Sequence, residues 1–162
     1  MGPRQKRRKS KQIEAAIQSA EQRLQRAPTE EEIVAELGIP LEEYREWLVE
    51  IRGLNIASLE SASGEPGRDL LQYIPDNGEN LPSTILERSE LERLLTQAIA
   101  ALPPIERTVI GLYYQEELTL REIAEIVHLH ESRISQLKSQ AVLRLRSTLA
   151  VQWPVTHAQE AE

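Results

Sequence analysis

The sequence predicts an all-α fold: two small helical domains joined by an extended acidic linker, the C-terminal domain built on a helix-turn-helix. Three observations carry this prediction. Apolar residues recur at intervals of three and four along most of the chain, and no stretch alternates as a strand would. Aromatic residues make up only 4% of the 162 and Phe is absent, so the core leans on Leu, Ile, Val and Ala, which suits helical bundles. Pro, Gly and capping residues stand at the ends of the periodic segments.

The elements follow in order. Ile13, Ile17, Ala20 and Leu24 fall on one face of a helix from about Arg7 to Arg26, which Pro28 ends. Thr29 then has Glu32 three residues on, a capping box that satisfies two orphan backbone N–H groups. The short helix so begun carries Ile33, Val34 and Leu37 and stops at Gly38. Pro40 opens a third helix with Leu41, Tyr44, Leu48 and Ile51 on one face and Gly53 beyond its end. Residues 1–53 therefore form one three-helix domain.

Composition changes at residue 54. The stretch "LNIASLESASGEPGRDLLQYIPDNGENLP" (54–82) has no sustained period, and it carries Glu60, Glu65, Asp69, Asp76 and Glu79 against the single base Arg68. Loops longer than about 15 residues without regular structure are uncommon and are usually functional or disordered, so this is a linker. Helical pattern resumes near Ser83, with Leu91, Leu94, Leu95, Ala98, Ile99 and Leu102 on a helix that Pro103 and Pro104 terminate. Ile105, Val109 and Leu112 mark the next helix, ending near Tyr114. Thr119 and Glu122 repeat the capping-box spacing, and Ile123, Ala124 and Val127 face inward. "HLH" (His128 to His130) is a turn, and "HESRISQLKSQAVLRLR" (His130 to Arg146) is a longer helix. Residues 83–150 make the second domain, and 151–162 a tail.

Bulk properties exclude several classes. Cys is absent, which removes disulfides and thiolate metal sites. No apolar run approaches the ~20 residues of a membrane span, and the basic N-terminus is not followed by the apolar stretch of a signal peptide. A soluble cytoplasmic protein is expected. Net charge is −7, yet residues 1–11 hold six Lys/Arg and no acid, residues 12–118 hold 21 acids against 8 bases, and residues 119–149 hold five bases against three acids. Binding to a polyanion depends on local patches, so two basic ends around an acidic middle are compatible with DNA. No Ser/His/Asp constellation, phosphate loop or carboxylate pair stands out, and Asp occurs only at 69 and 76; an enzyme is the weakest reading.

A short helix, a three-residue turn and a longer helix make a helix-turn-helix. The inner face of the second helix is Ile134, Leu137, Ala141 and Leu145. At 100° per residue the opposite face is Ser132, Gln136 and Ser139, flanked by Arg133, Ser135 and Gln140. Such side chains approach base edges in the major groove: Gln pairs with adenine, Arg with guanine, and Ser with several partners. Glu131 and Arg121 join the expected DNA contacts, and Arg144 and Arg146 are placed off the core face within reach of phosphates. A solvated face usually carries Glu and Lys in pairs, whereas Ser lowers helix propensity without a structural return.

"LPPIERTVIGLYYQEELTLREIAEIVHLHESRISQLKSQAVLRLRSTL" (Leu102 to Leu149) resembles region 4 of bacterial sigma factors of the sigma-70 family, with "LYYQEELTLREIAE" and "ESRISQLKSQAVLRLR" closest to the flagellar and sporulation class. "PRQKRRKSKQIEAAI" followed by "RAPTEEEIVAELGI" resembles region 3. The resemblance implies that the second helix of the motif reads the −35 promoter element and that the preceding helices dock on the flap of the RNA polymerase β subunit. It implies that Arg4, Arg7 and Arg8 contact DNA at or beside the −10 element, and that the linker corresponds to region 3.2, threaded toward the active centre. Its partners would be promoter DNA, RNA polymerase core and an anti-sigma factor, with no cofactor, no metal and no membrane. No segment resembling region 2 precedes Arg4, so the chain is expected to be a piece of a longer sigma factor or a truncated relative, unable to melt promoter DNA by itself.

Two residues depart from the family pattern. His128 stands where the turn usually has Gly, and His tolerates a left-handed backbone less well. His130 stands where a Ser, Thr or Gly cap is common, and reads as an ordinary turn residue rather than a metal ligand or pH sensor. The alternatives to a sigma factor are a stand-alone helix-turn-helix regulator, which leaves the first domain unused, and an interaction module bound by an anti-sigma factor.

Overall fold

The computed structural model describes residues 2–53 and 82–152, which form seven helices and, among the described residues, no strand. The fold class is all-α, as the periodicity predicts. The first module contains α1 (Pro3–Leu24), α2 (Glu30–Leu37) and α3 (Leu41–Glu50); the second contains α4 (Pro82–Ala100), α5 (Pro104–Tyr114), α6 (Leu120–Val127) and α7 (Glu131–Gln152). The linker expected at 54–82, apart from Pro82, and the tail, apart from Val151 and Gln152, lie outside the described residues.

Local chemistry sets the boundaries. Both capping boxes form: the Thr29 hydroxyl accepts from the Glu32 N–H while the Thr29 N–H donates to the Glu32 carboxylate, and Thr119 and Glu122 do the same. Pro103 and Pro104 separate α4 from α5 by removing N–H donors where the helix would continue. Helix α6 ends at His128 with φ 60°, and its N–H donates to the Ala124 carbonyl. A left-handed residue is thus required there, and His supplies it in place of Gly. Helix α1 ends two residues earlier than the sequence predicts, on a left-handed Gln25.

Three apolar clusters hold the helices, and α7 belongs to all of them. Val109, Ile123, Ala124, Ile134 and Leu137 form the helix-turn-helix core. Leu91, Leu94, Leu95, Ala98, Leu102, Ile110, Ala141, Val142, Leu145 and Leu149 pack α4 and α5 onto α7. The third cluster, Ile13, Ala16, Ile17, Ile33, Tyr44, Leu48 and Ile51, is the core of the first module, yet it encloses Leu143 of α7 at 0% exposure. Burying one Leu completely is worth about 1.5–3 kcal/mol. The two modules therefore meet along the second half of α7, and that contact decides which of its polar residues face solvent.

Candidate nucleic-acid interface

The helix-turn-helix presents its first turn openly. Arg121 at the start of α6 and Glu131 and Ser132 at the start of α7 are exposed. Arg133 and Gln136, one turn on, are half-buried and hydrogen-bonded to each other, the guanidinium donating to Gln136 Oε1 at 3.2 Å. His130 is the N-cap: its carbonyl accepts from the Ile134 N–H, and its Nδ1 accepts from the Ser132 N–H at 3.2 Å. The sequence reading as a plain turn residue missed that cap.

Further along α7 the expected exposed face is closed. Ser135, Ser139, Gln140 and Arg144, all placed by spacing on a surface open to DNA, are 6%, 0%, 2% and 4% exposed, and Arg146 is buried as well. The cause is the first module, which lies over this side of the helix. Tyr44 donates its hydroxyl to Gln140 Oε1 at 2.8 Å, and Gln140 Nε2 donates to Glu106 at 3.1 Å. Arg144 donates through Nε to Glu106 at 2.9 Å and through its NH1 nitrogen to the Pro28 carbonyl at 2.6 Å. Arg146 pairs with Glu14. Lys138 donates to the Arg52 carbonyl at the end of α3 and lies 4.3 Å from the centre of the Tyr113 ring. Ser135, Ser139 and Ser147 have buried hydroxyls with no hydrogen-bond partner, a cost of about 1–3 kcal/mol each when water is excluded.

Glutamates of the first module occupy the cations of the second. Glu30 accepts from Arg133 at 3.1 Å through one oxygen and from Arg45 at 2.8 Å through the other. Burial pushes the carboxyls of Glu106 and Glu14 above the ordinary range, only partly offset by the Arg144 and Arg146 guanidiniums. Desolvation thus outweighs pairing at both sites, as it often does for buried ion pairs. Burial also raises the Tyr44 phenol, so Tyr44 remains a hydrogen-bond donor to Gln140.

Arg4, Arg7 and Arg8 are exposed on α1 and make no ion pair among the described residues. Helix α1 meets the second half of α7 through Glu14 and Gln18. Spacing alone missed Glu14, Glu30, Tyr44, Arg45, Glu106 and Lys138. One signal was available: "AVLRL" makes α7 apolar on two sides from Ala141 onward, more than one core needs. Among the described residues no group of three or more potential metal ligands exists, and no helix is long and apolar enough to cross a membrane.

Fold and site together describe an all-α protein with a helix-turn-helix, and comparison with known families says to which class it belongs. Residues 8–86 match the family model for sigma-70 region 3, and residues 98–147 match that for sigma-70 region 4. The chain belongs to the sigma-70 family of sigma factors. It is 39% identical to the RNA polymerase sigma factor FliA of Yersinia enterocolitica over 91% of this chain and 64% of that protein. It is 38% identical to FliA of Escherichia coli strain K12, over 91% and 62%, and 34% identical to the RNA polymerase sigma-D factor of Bacillus subtilis strain 168, over 91% and 59%. The chain therefore spans somewhat under two thirds of the length of these relatives. A solved structure described as a cocrystal of the flagellar sigma/anti-sigma complex Sigma-28/FlgM aligns with TM-score 0.49 and 37% identity, over 92% of this chain and 63% of that one.

Proposed function

We propose that this chain supplies the promoter-reading and polymerase-docking portion of a flagellar-class sigma factor, working in the cytoplasm as a non-enzymatic initiation factor. The observation that supports this most is the α6–α7 helix-turn-helix with Glu131, Ser132, Arg133 and Gln136 at its accessible end. In the proposed role these four side chains meet the −35 element, Arg121 contacts the backbone, and Arg4, Arg7 and Arg8 contact DNA beside the −10 element. The domains are assigned as 1–53, 83–150 and a connecting 54–82 that corresponds to region 3.2, with 151–162 a tail. The second module docks on the β flap of RNA polymerase core, and a protein of the anti-sigma type competes for the same helices.

The closed seam adds a condition. Ser135 and Ser139 reach DNA only when α7 separates from α1–α3. Gln140 and Arg144 stay tied to Glu106 of their own module even then, so their part is to hold α5 on α7 rather than to read bases. Separation exchanges the Glu30 and Glu14 carboxylates for phosphates, and it hydrates the three orphan hydroxyls. The test mixes the chain with core polymerase and a flagellar-type promoter whose −35 box is intact or scrambled. Binding to core, with discrimination lost in Gln136→Ala, is the expected result; no binding to core overturns the assignment.

A further inference from the structure

The first turn of α7 carries a hydrogen-bond arrangement that fixes the position of a proton. The Ser132 N–H donates to His130 Nδ1 at 3.2 Å, and the same Nδ1 lies 2.9 Å from Ser132 Oγ. A backbone N–H can only donate, so Nδ1 is the acceptor and the neutral imidazole carries its proton on Nε2. The contact with Oγ then has one sense: the serine hydroxyl gives its single hydrogen to Nδ1. What Ser132 has left for a base edge is lone pairs alone.

We propose that His130 sets the hydrogen-bond polarity with which Ser132 meets a base, an inference that rests on DNA reading by α7 as proposed above. With His130 neutral, Ser132 is an acceptor, matched in the major groove to the exocyclic amine of cytosine or adenine. Protonation makes both ring nitrogens donors. Nδ1–H then donates to Ser132 Oγ, the serine's own hydrogen turns outward, and Ser132 becomes a donor matched to guanine O6 or thymine O4. The Ser132 N–H loses its acceptor in the same step, so the cap weakens as the polarity reverses. His130 is a positioning residue: it acts through Ser132.

The charged residues nearest His130 along the chain are Glu125, Glu131 and Arg133. On α6, Glu125 lies one turn before His128, which ends that helix. On α7, Glu131 follows His130 directly, and Arg133 lies beyond it, tied to Glu30 of α2. None of these forms an ion pair with His130 among the described residues. Added positive charge at His130 tightens all duplexes alike, so the informative readout is base preference rather than affinity.

Two measurements on the whole chain decide the matter. Nitrogen NMR of the imidazole without DNA, at about pH 8, is expected to find the proton on Nε2 and an Nδ1 resonance that changes in Ser132→Ala; a proton on Nδ1 overturns the proposal. Selection from a pool of duplexes with a randomised core is then run on the wild type and on variants at position 130. At one base position the wild type is expected to prefer adenine or cytosine, and His130→Lys, whose ammonium can only donate to Ser132 Oγ, is expected to move that preference toward guanine or thymine by about five-fold, the worth of one hydrogen bond. His130→Asn, which keeps an acceptor at the cap, is expected to keep the wild-type preference, and Ser132→Ala to lose it. A preference that is the same in the wild type and His130→Lys, or that moves in His130→Asn, overturns the proposal. Absence of any sequence preference overturns the DNA-reading assignment instead, and the DNA-free NMR result still decides the role of His130.

Discussion

The two halves of α7 are built from the same residue types and do opposite things. From Glu131 to Gln136 the polar side chains keep some access to solvent: Glu131 and Ser132 are exposed, Arg133 and Gln136 are half-buried with Arg133 paired to Glu30, and Ile134 and Ser135 are buried. From Leu137 to Leu149 the same types are enclosed, with Gln140 and Arg144 on Glu106 and Arg146 on Glu14. Short polar side chains on one face therefore do not define a reading surface. The groups that approach from elsewhere in the chain do, and here Glu14, Glu30 and Tyr44 arrive from about a hundred residues away.

The sharpest way to break the comparison is at Arg144. Arg144→Met strips Glu106 of its cation while leaving it buried, and stability at neutral pH is expected to fall by about 3–5 kcal/mol in urea denaturation. The sign with pH follows from Glu106, whose carboxyl is already raised by burial in the wild type. A carboxyl raised in the folded state takes up a proton there more readily than in the unfolded chain, so stability increases as pH falls toward the ordinary carboxylate range. The Arg144→Met variant should regain stability on mild acidification more steeply than the wild type. A variant whose loss is the same at neutral and mildly acidic pH would show that Glu106 is not the group left stranded.

Leu143→Ala probes the seam without touching a charge. Truncating a fully buried Leu costs about 2–5 kcal/mol, and the loss should fall on the contact between modules while Val109, Ile123 and Ile134 keep the helix-turn-helix packed. Amide exchange is expected to rise in α1–α3 and along the second half of α7, with α6 unchanged. Uniform loss of protection would mean that the modules do not unfold separately.

At the accessible end, Arg133→Ala is expected to weaken binding to a −35 duplex by about 1–3 kcal/mol where it meets a base. Glu30→Gln acts in the other direction, since it releases Arg133 from the carboxylate that holds it. That variant should bind the same duplex more tightly, with a steeper salt dependence, as measured by fluorescence anisotropy. The smallest effect belongs to Thr119→Ala, which removes one half of the α6 capping box and should lower the denaturation midpoint by an amount equivalent to about 1 kcal/mol.

Much of this was legible in the sequence because it is local chemistry. The capping boxes at Thr29 and Thr119, the Pro103–Pro104 break and the Gly38 and His128 ends each depend on residues within one helical turn. The accessible Arg121, Glu131, Ser132, Arg133 and Gln136 also follow from the helix-turn-helix register. The burial of Arg144 and Gln140 is not legible there, because helical spacing says only that they lie off the main apolar stripe and not what covers them. The cap at His130 escaped because it depends on which ring nitrogen faces Ser132, something no spacing encodes.

By itself the sequence determined an all-α chain, the register of its helices and its membership of the sigma-70 family, since these rest on periodicity, capping and continuous motifs. Only the tertiary structure decided that α7 has two buried sides. Leu143 enters a core assembled from Ile13, Ile33, Tyr44 and Leu48, residues distant along the chain. Their approach takes Gln140, Arg144 and Arg146 out of water and leaves the first turn of α7 as the part accessible to a nucleic acid.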